Sequence, residues 1–481
     1  MPKEIPSIPF ALSSYRNATR AISGQQLVNC YAEVQREGMD AKGTAPLIGT
    51  PGLRAFAEVG AGPIRAAVEM GGILYVVSGS QFYSVDSAGT GTLLGGGIAP
   101  GSNVIGIATS ETEIGIADGV SKGFSYSVAA GFAPIADADC EISRTIAFLN
   151  SYFLREKIDT NEWFSSDSDD VTSYDATFFS RAETNPDNAE AVLSHQQNAI
   201  ITGKKGVEVW QFNPNTSGFP WNRYPGAGIK TGVAGPFASC VHKDRFFAVG
   251  SDWLLYELAG EGMIPKSDPG VASAWKGYGD ISDVVIWGIT WNKQEWIVIT
   301  FPSVPATWVF DATTELFHER ESHDIDMVSY GRWRGNVYAR CYGLDLIGDA
   351  FTNKIGVLDA DTYDEFGNPM RFRAVSPTLH NKGQTVFMSS IEFLMQTGVG
   401  LVTGQGSDPK MILDWSNDDG ETFEPFVYEL SMGAIGERTI PVRATELGSF
   451  TKRTLRVTIT DPVKRCIVSA VPKVNGGLEY S

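Results

Sequence analysis

Seven consecutive stretches of this chain share one pattern: an apolar strand, a polar turn, a second strand rich in aromatics, a Gly- or polar-rich turn, and a third strand. They read "AAVEMGGILYVVSGSQFYSVD", "IGIATSETEIGIADGVSKGFSYSV", "TIAFLNSYFLREKIDTNEWFSSD", "EAVLSHQQNAIITGKKGVEVWQF", "ASCVHKDRFFAVGSDWLLYEL", "WGITWNKQEWIVITFPSVPATWVFD" and "VSYGRWRGNVYARCYGLDLIGDAFTNKIGVLD". Anchoring the middle strands at Tyr75, Ile114, Phe153, Ile200, Phe247, Trp296 and Tyr338 gives gaps of 39, 39, 47, 47, 49 and 42 residues. A unit of roughly 40–50 residues holding about four strands is the length of one β-propeller blade. One blade cannot cover both of its faces. Packing blades around an axis buries those faces and leaves only short edges. Aromatic and β-branched residues would fill the wedge between neighbours. The predicted class is therefore all-β, with a propeller of seven blades. Six is the alternative count, because the third segment is polar and its strands are weak. Unrelated β-meanders stacked as sandwiches are the competing arrangement.

The flanks differ from the repeat. Residues 1–60 have no sustained period of either kind. They read as an extended N-terminal arm with a strand or two, ending in the turn "TPGL", and their last part is placed to supply a strand that closes the ring. An arm outside the core would also suit gripping a neighbouring subunit. The propeller is assigned to 61–368. From 369 to 481 come longer alternating strands ("RFRAVSPTL", "TVFMSSIEFLMQT", "MILDWS", "FEPFVYEL", "RTIPVRATEL", "RTLRVTIT", "CIVSAVPKV"), the pattern of an antiparallel β-sandwich. No amphipathic helix is predicted, and "NPDNAEAV" at 185–192 would form a turn of helix at most.

Composition narrows the function. The 481 residues carry a net charge of −18, which repels phosphate backbones and disfavours duplex binding through Lys and Arg. Cys30, Cys140, Cys240, Cys341 and Cys466 stand far apart without a C-x-x-C, so buried, reduced thiols are expected. The start "MPKEIPSIPFALSSYRN" lacks the apolar stretch of a signal peptide, and apolar runs such as "VVIWGITW" reach only strand length. A soluble protein made in a cytoplasm is expected, with no membrane span.

One stretch points towards an enzyme. "WSNDDGETF" at 415–423 resembles the Asp-box turn that recurs in sialidases. It occurs once and outside the repeat. Asp419-Gly420 is also a strong hairpin signal, and Asp418 and Thr422 can bond within the same turn. Sialidase chemistry needs arginines grouped around a carboxylate, but Arg155, Arg245, Arg332 and Arg334 share no offset. The acidic runs "SSDSDD" (165–170) and "DADTYDE" (359–365) could pair carboxylates for a glycosidase, yet they sit in turn-like segments. Asp359, Asp361 and Asp364 could face a calcium ion, though their spacing fails the EF-hand rule. His318 and His323 have no metal-site companions. "GTGTLLGGG" opens no helix and does not read as a phosphate cradle. The basic stretch "TKRTLRVTITDPVKR", with Lys452, Arg453, Arg456, Lys464 and Arg465, reads as a solvated strand, or else as a contact for an acidic partner. No catalytic, cofactor-binding or metal residue is nominated, and no cofactor is called for.

The order of segments carries a resemblance. An arm with "QLVNCYAE" precedes "GTPGLRAFAEVGAGPIRAA". Then follow "FFSRAETNPDNAEAVLSHQQNAIITGKKGVEVWQF" (with Val207, Glu208 and Val209 at its last strand), "IKTGVAGPFASCVHKDRFFAVG" and a blade ending "WVFD". This resembles the packaged-DNA stabilisation protein, or tail hub (nozzle), of short-tailed bacteriophages related to the Salmonella podoviruses. The resemblance implies a non-enzymatic virion protein, a homo-hexameric head-to-tail connector piece. It would sit below the portal and its adaptor ring, extend the DNA exit channel and help keep the genome in. Implied partners are the adaptor, a tail needle or tip protein, tailspikes or receptor-binding proteins, and genomic DNA passing without sequence-specific contacts. The implied location is the virion tail, assembled in the host cytoplasm. On this reading the acidic charge lets DNA slide past. A glycan-acting enzyme and a lectin-like propeller are the alternatives.

Overall fold

The computed structural model describes residues 8–480 except 9, 18, 21–22, 35–44, 215–217, 261, 325–328 and 476–477. Six antiparallel four-stranded meanders follow one another at 64–96, 106–134, 146–181, 189–229, 239–265 and 285–323. A seventh unit combines Gly335–Cys341, Leu344–Asp349 and Lys354–Asp359 with the N-terminal strand Gly52–Glu58. The first strand of each unit packs against the first strand of the next, and the seventh returns to the first. These contacts close a ring, so the fold is a β-propeller.

Closure is made by hydrogen bonds between distant parts of the chain. Gly52–Glu58 runs antiparallel to Lys354–Asp359, with Leu53 opposite Leu358. Gly52 is needed at the start of this strand, because a Cβ there would lie 2.3 Å from the Asp364 carbonyl oxygen and 2.5 Å from that of Thr362. Six of the seven anchors fall in the second strand of their units. Tyr338 falls in a first strand, Gly335–Cys341, so the seventh anchor is one strand early. The reason is that Tyr330–Arg332 pairs back onto Leu316–His323 of the sixth unit, and the fourth strand of the seventh unit comes from the other end of the chain.

The polar third segment forms a complete sheet. Its polar residues turn inward and bond to one another, which explains the weak strand signal. Arg155 Nε donates to Ser143 Oγ at 2.7 Å, and its Nη1 lies 3.1 Å from Cys140 Sγ and 3.4 Å from the Tyr174 hydroxyl. Buried Glu156 accepts from the Arg144 N–H at 2.6 Å and the Thr145 hydroxyl at 2.5 Å. Burial nonetheless pushes its carboxyl up to about 7.

The arm departs from the expectation of a loose external grip. Its described strands enter the C-terminal region, where two sheets enclose one core. Gly24–Val28 pairs antiparallel with Phe372–Val375 and touches Leu316–His323 in parallel, with Val28 opposite Glu319. Cys30–Ala32 pairs with Leu47–Gly49, which pairs with Cys466–Asn475. Leu27, Cys30 and Leu47 are buried among Phe372, Leu455 and Ile467. Each burial removes apolar area worth about 25 cal/mol per Å² from water, which favours tucking the strands in over leaving them free. The sixth unit therefore continues sideways through the arm strand into the C-terminal sheet, making one 13-stranded sheet.

A helix, Pro269–Lys276, also departs from the all-strand expectation. Asp268 caps it by accepting from the Val271 N–H at 2.8 Å, and Pro269 starts it. At eight residues it is too short to show a period, but it buries Val271 and Trp275. The stretch 185–192 forms no helix; its end begins the strand Ala189–His195. All five cysteines are free thiols, four of them buried and Cys466 partly exposed.

Candidate functional site

The Asp-box segment is occupied with holding its own turn. Asp418 accepts from the Thr422 N–H at 2.9 Å and from the hydroxyls of Ser416 and Thr422, both at 2.5 Å. Those hydroxyls, Ser416 first, hold its carboxyl down at about 2. Asp419 and Gly420 both take positive φ, 63° and 84°, and Ser416 Oγ accepts from the Gly420 N–H at 2.8 Å. Asp419 pairs with Lys452. The arginines beside the turn bond to other groups: Arg20 donates to the Gly420 carbonyl at 3.3 Å and Arg453 to Asn417 Oδ1 at 3.0 Å.

The other acidic candidates are also committed to turns. In 165–170, Asp167 accepts from the Ser173 hydroxyl at 2.6 Å and Asp170 from the Thr172 N–H at 2.8 Å. In 359–365, Asp359 accepts from the Asp361 N–H at 3.0 Å and pairs with Arg54 at 3.2 Å. Asp364 accepts from the Gly367 N–H at 2.9 Å. Among the described residues no three His, Cys, Asp or Glu side chains converge as metal ligands. His318 and His323 are five apart on one strand, Leu316–His323, so they point to opposite faces. His318 packs between Tyr31 and Trp296, with centroids 5.9 and 5.1 Å away.

Of the five cations of the basic stretch only Lys464 is exposed, which departs from a solvated strand. Arg453 is buried, donating to the Leu447 carbonyl at 2.6 Å and stacking on Phe450 and Trp415. Arg456 pairs with Asp414 and lies 3.7 Å from the Phe423 ring centre. Arg465 is fully buried and donates to the Met370 carbonyl at 2.9 Å. Alternation in sequence cannot reveal this, because it says which residues share a face and not what covers that face.

Arg155, Arg245, Arg332 and Arg334 are dispersed. Arg245 joins the fifth and sixth units through Glu257 at 2.6 Å and Glu295 at 3.3 Å. Arg334 makes a buried pair with Asp349 at 2.8 Å. Arg332 instead faces the ring axis. There, connections ahead of the first strands and after the second strands gather at one end, since antiparallel neighbours place those ends together. They line a half-open cavity of about 990 Å³ to which six of the seven units contribute. Arg65 and Arg144 line it as well, as do Asp118, Asp283 and Asp324. Sequence reasoning missed Arg65 and Arg144. Their signal was positional: each stands beside the start of a first strand, Ile64–Met70 or Ile146–Leu149.

Within the segment that carried the resemblance, the loop ahead of the strand Ala189–His195 packs against the turn at Gly206 and the strand Val207–Phe212. Buried Glu208 accepts from the Thr184 N–H at 2.5 Å and the Trp210 indole at 3.0 Å, and Asp187 accepts from the Lys205 N–H at 2.5 Å. A Cβ on Gly206 would meet Asn185 Nδ2 at 1.9 Å, so glycine lets the loop seat.

No curated protein matches the chain. Among solved structures, the computationally designed Ika8 protein aligns at 10% identity and a TM-score of 0.38, covering 64% of this chain and 99% of that one. The extracellular domain of the putative one component system BT4673 from B. thetaiotaomicron aligns at 10% identity and a TM-score of 0.42, covering 80% of this chain and 48% of that one. The N-terminal domain of Nup159 aligns at 8% identity and a TM-score of 0.37, covering 73% and 97%. Residues 7–363 match the family model described as "Bacteriophage P22 Gp10, beta-propeller", and the chain belongs to this phage stabilisation family.

Proposed function

We propose that this chain is the tail hub of a short-tailed phage. It assembles as a homo-hexamer below the portal's adaptor ring, extends the DNA exit channel, helps retain the packaged genome, and offers attachment sites for a needle or tip protein and for tailspikes. It works in the virion tail after assembly in the host cytoplasm, without catalysis. The observation that carries this reading is family membership over residues 7–363. The architecture supports it. A ring closed by its own N-terminal strand, with one sheet running on into the C-terminal region, resists deformation as a mechanical part should. The Asp-box and the two acidic runs, the segments that suggested glycan cleavage, are taken up in turns.

The test is co-assembly. Mixed with its portal and adaptor proteins, the chain should elute as a stable ring complex whose mass matches six copies. A monomer that ignores both partners would overturn the reading.

A further inference from the structure

The axial cavity holds charges that the fold does not use equally. Its carboxylates are committed to the protein. Asp118 accepts from the N–H groups of Ala99, Val120 and Ser121 at 3.1, 3.0 and 2.8 Å. Asp283 accepts from the Ser303 N–H at 2.8 Å and its hydroxyl at 2.6 Å. Asp324 accepts from the Ser329 hydroxyl. The guanidiniums are less occupied. Arg65 donates Nε and Nη1 to the carbonyls of Asn103, Gly79 and Ala99 at 2.8, 2.9 and 2.5 Å, which leaves Nη2 beside Gly101. Arg144 ion-pairs with Glu156 at 3.9 Å and with Glu190 at 4.0 Å, but its guanidinium donates no hydrogen bond to either. The guanidinium of half-buried Arg332 makes no hydrogen bond or ion pair among the described residues and rests on the Phe351 ring, 5.3 Å from its centre.

A guanidinium presents five donors in a planar fork that matches an oxyanion. Drawing it partly out of bulk water is unfavourable; Asp349 and Asp283 act on Arg332 only from beyond ion-pair distance, so an anion seated against the fork would supply the hydrogen bonds they do not. A volume of about 990 Å³ is that of a small-molecule site.

We propose that this axial cavity binds a small molecule through a carboxylate or phosphate group held by Arg332, with Arg65 Nη2 and Arg144 facing the same space. Nothing in the tail-hub reading requires such a site, and the proposal stands or falls apart from it.

Citrate and inorganic phosphate, titrated separately into the full chain at low ionic strength by calorimetry, test it and distinguish the two groups. Saturable one-to-one binding of at least one of them is expected, with sodium chloride giving none. Arg332→Gln should weaken that binding at least tenfold. Val120→Glu, at an exposed rim position of the same cavity, adds a repelling carboxylate and should weaken it severalfold even if the Gln variant does not fold. Lys464→Gln, an exposed cation elsewhere, should bind like the parent chain. Absence of saturable binding by the parent chain, or binding that Val120→Glu and a folded Arg332→Gln leave unchanged, would overturn the proposal.

Discussion

Among single residues, the interior holds charged and titratable groups whose burial has consequences for pH and packing. His318 is the clearest. Burial first, and the neighbouring Arg320 charge second, hold its pKa down at about 3. The group is neutral in the fold and takes up a proton near pH 6.5 once unfolded. Its contribution to stability is therefore complete above about pH 6.5 and is lost as pH falls towards 3, on the order of a few kcal/mol in total. Against the opposite pull of Glu156, whose carboxyl at about 7 takes up its proton in the fold first, the imidazole should contribute a fall in melting temperature between pH 6.5 and 5. His318→Leu should flatten that fall; an unchanged slope would show that another group drives it. Arg334 and Asp349 illustrate a different consequence. Their buried pair lies between strands of the seventh unit, where losing one partner would strand the other charge.

At the scale of elements, two N-terminal strands do work that their position in sequence does not suggest. Gly52–Glu58 completes the seventh unit, and Gly24–Val28 joins the sixth unit to the C-terminal sheet. The seam can be tested where it is tightest. Gly52→Ala forces a Cβ against two backbone carbonyls and should cost about 1–3 kcal/mol in urea denaturation. Hydrogen exchange should quicken in Lys354–Asp359 before it does in the second to fourth units. Gly96→Ala, on an exposed strand where the new Cβ meets only ordinary contacts, should stay within about 0.5 kcal/mol. Equal effects from the two substitutions would argue against a strained seam. The helix Pro269–Lys276 shows how caps outweigh length: Asp268 and Pro269 were readable signals, but eight residues give no period to accompany them.

At the scale of the whole molecule, a net charge of −18 opposes binding to nucleic acid. At about 50 mM salt, where phosphate contacts are strongest, a labelled DNA duplex should run unshifted in a gel with the purified chain. A retained band that disappears at higher salt would show a basic surface outweighing the net charge. Such a result would contradict the reading of a channel wall past which DNA slides.

The repeat was legible because propeller sheets form from neighbours in sequence. Each hairpin carries its own turn and its own alternation, so Tyr75, Ile114, Phe153, Ile200, Phe247 and Trp296 marked second strands without reference to the rest of the chain. The Asp-box was legible as a turn for the same reason, its bonds spanning only a few residues. Tyr338 was misplaced because the seventh unit depends on a strand nearly 300 residues away. The inward turn of Arg453 and Arg465, the path of the arm through the C-terminal core and the meeting of Arg65, Arg144 and Arg332 at the axis have a common cause. Local strands and turns follow from residues that are neighbours along the chain. Which distant segments cover, complete or face them follows from packing, because burial and pairing across such separations leave no local period to read.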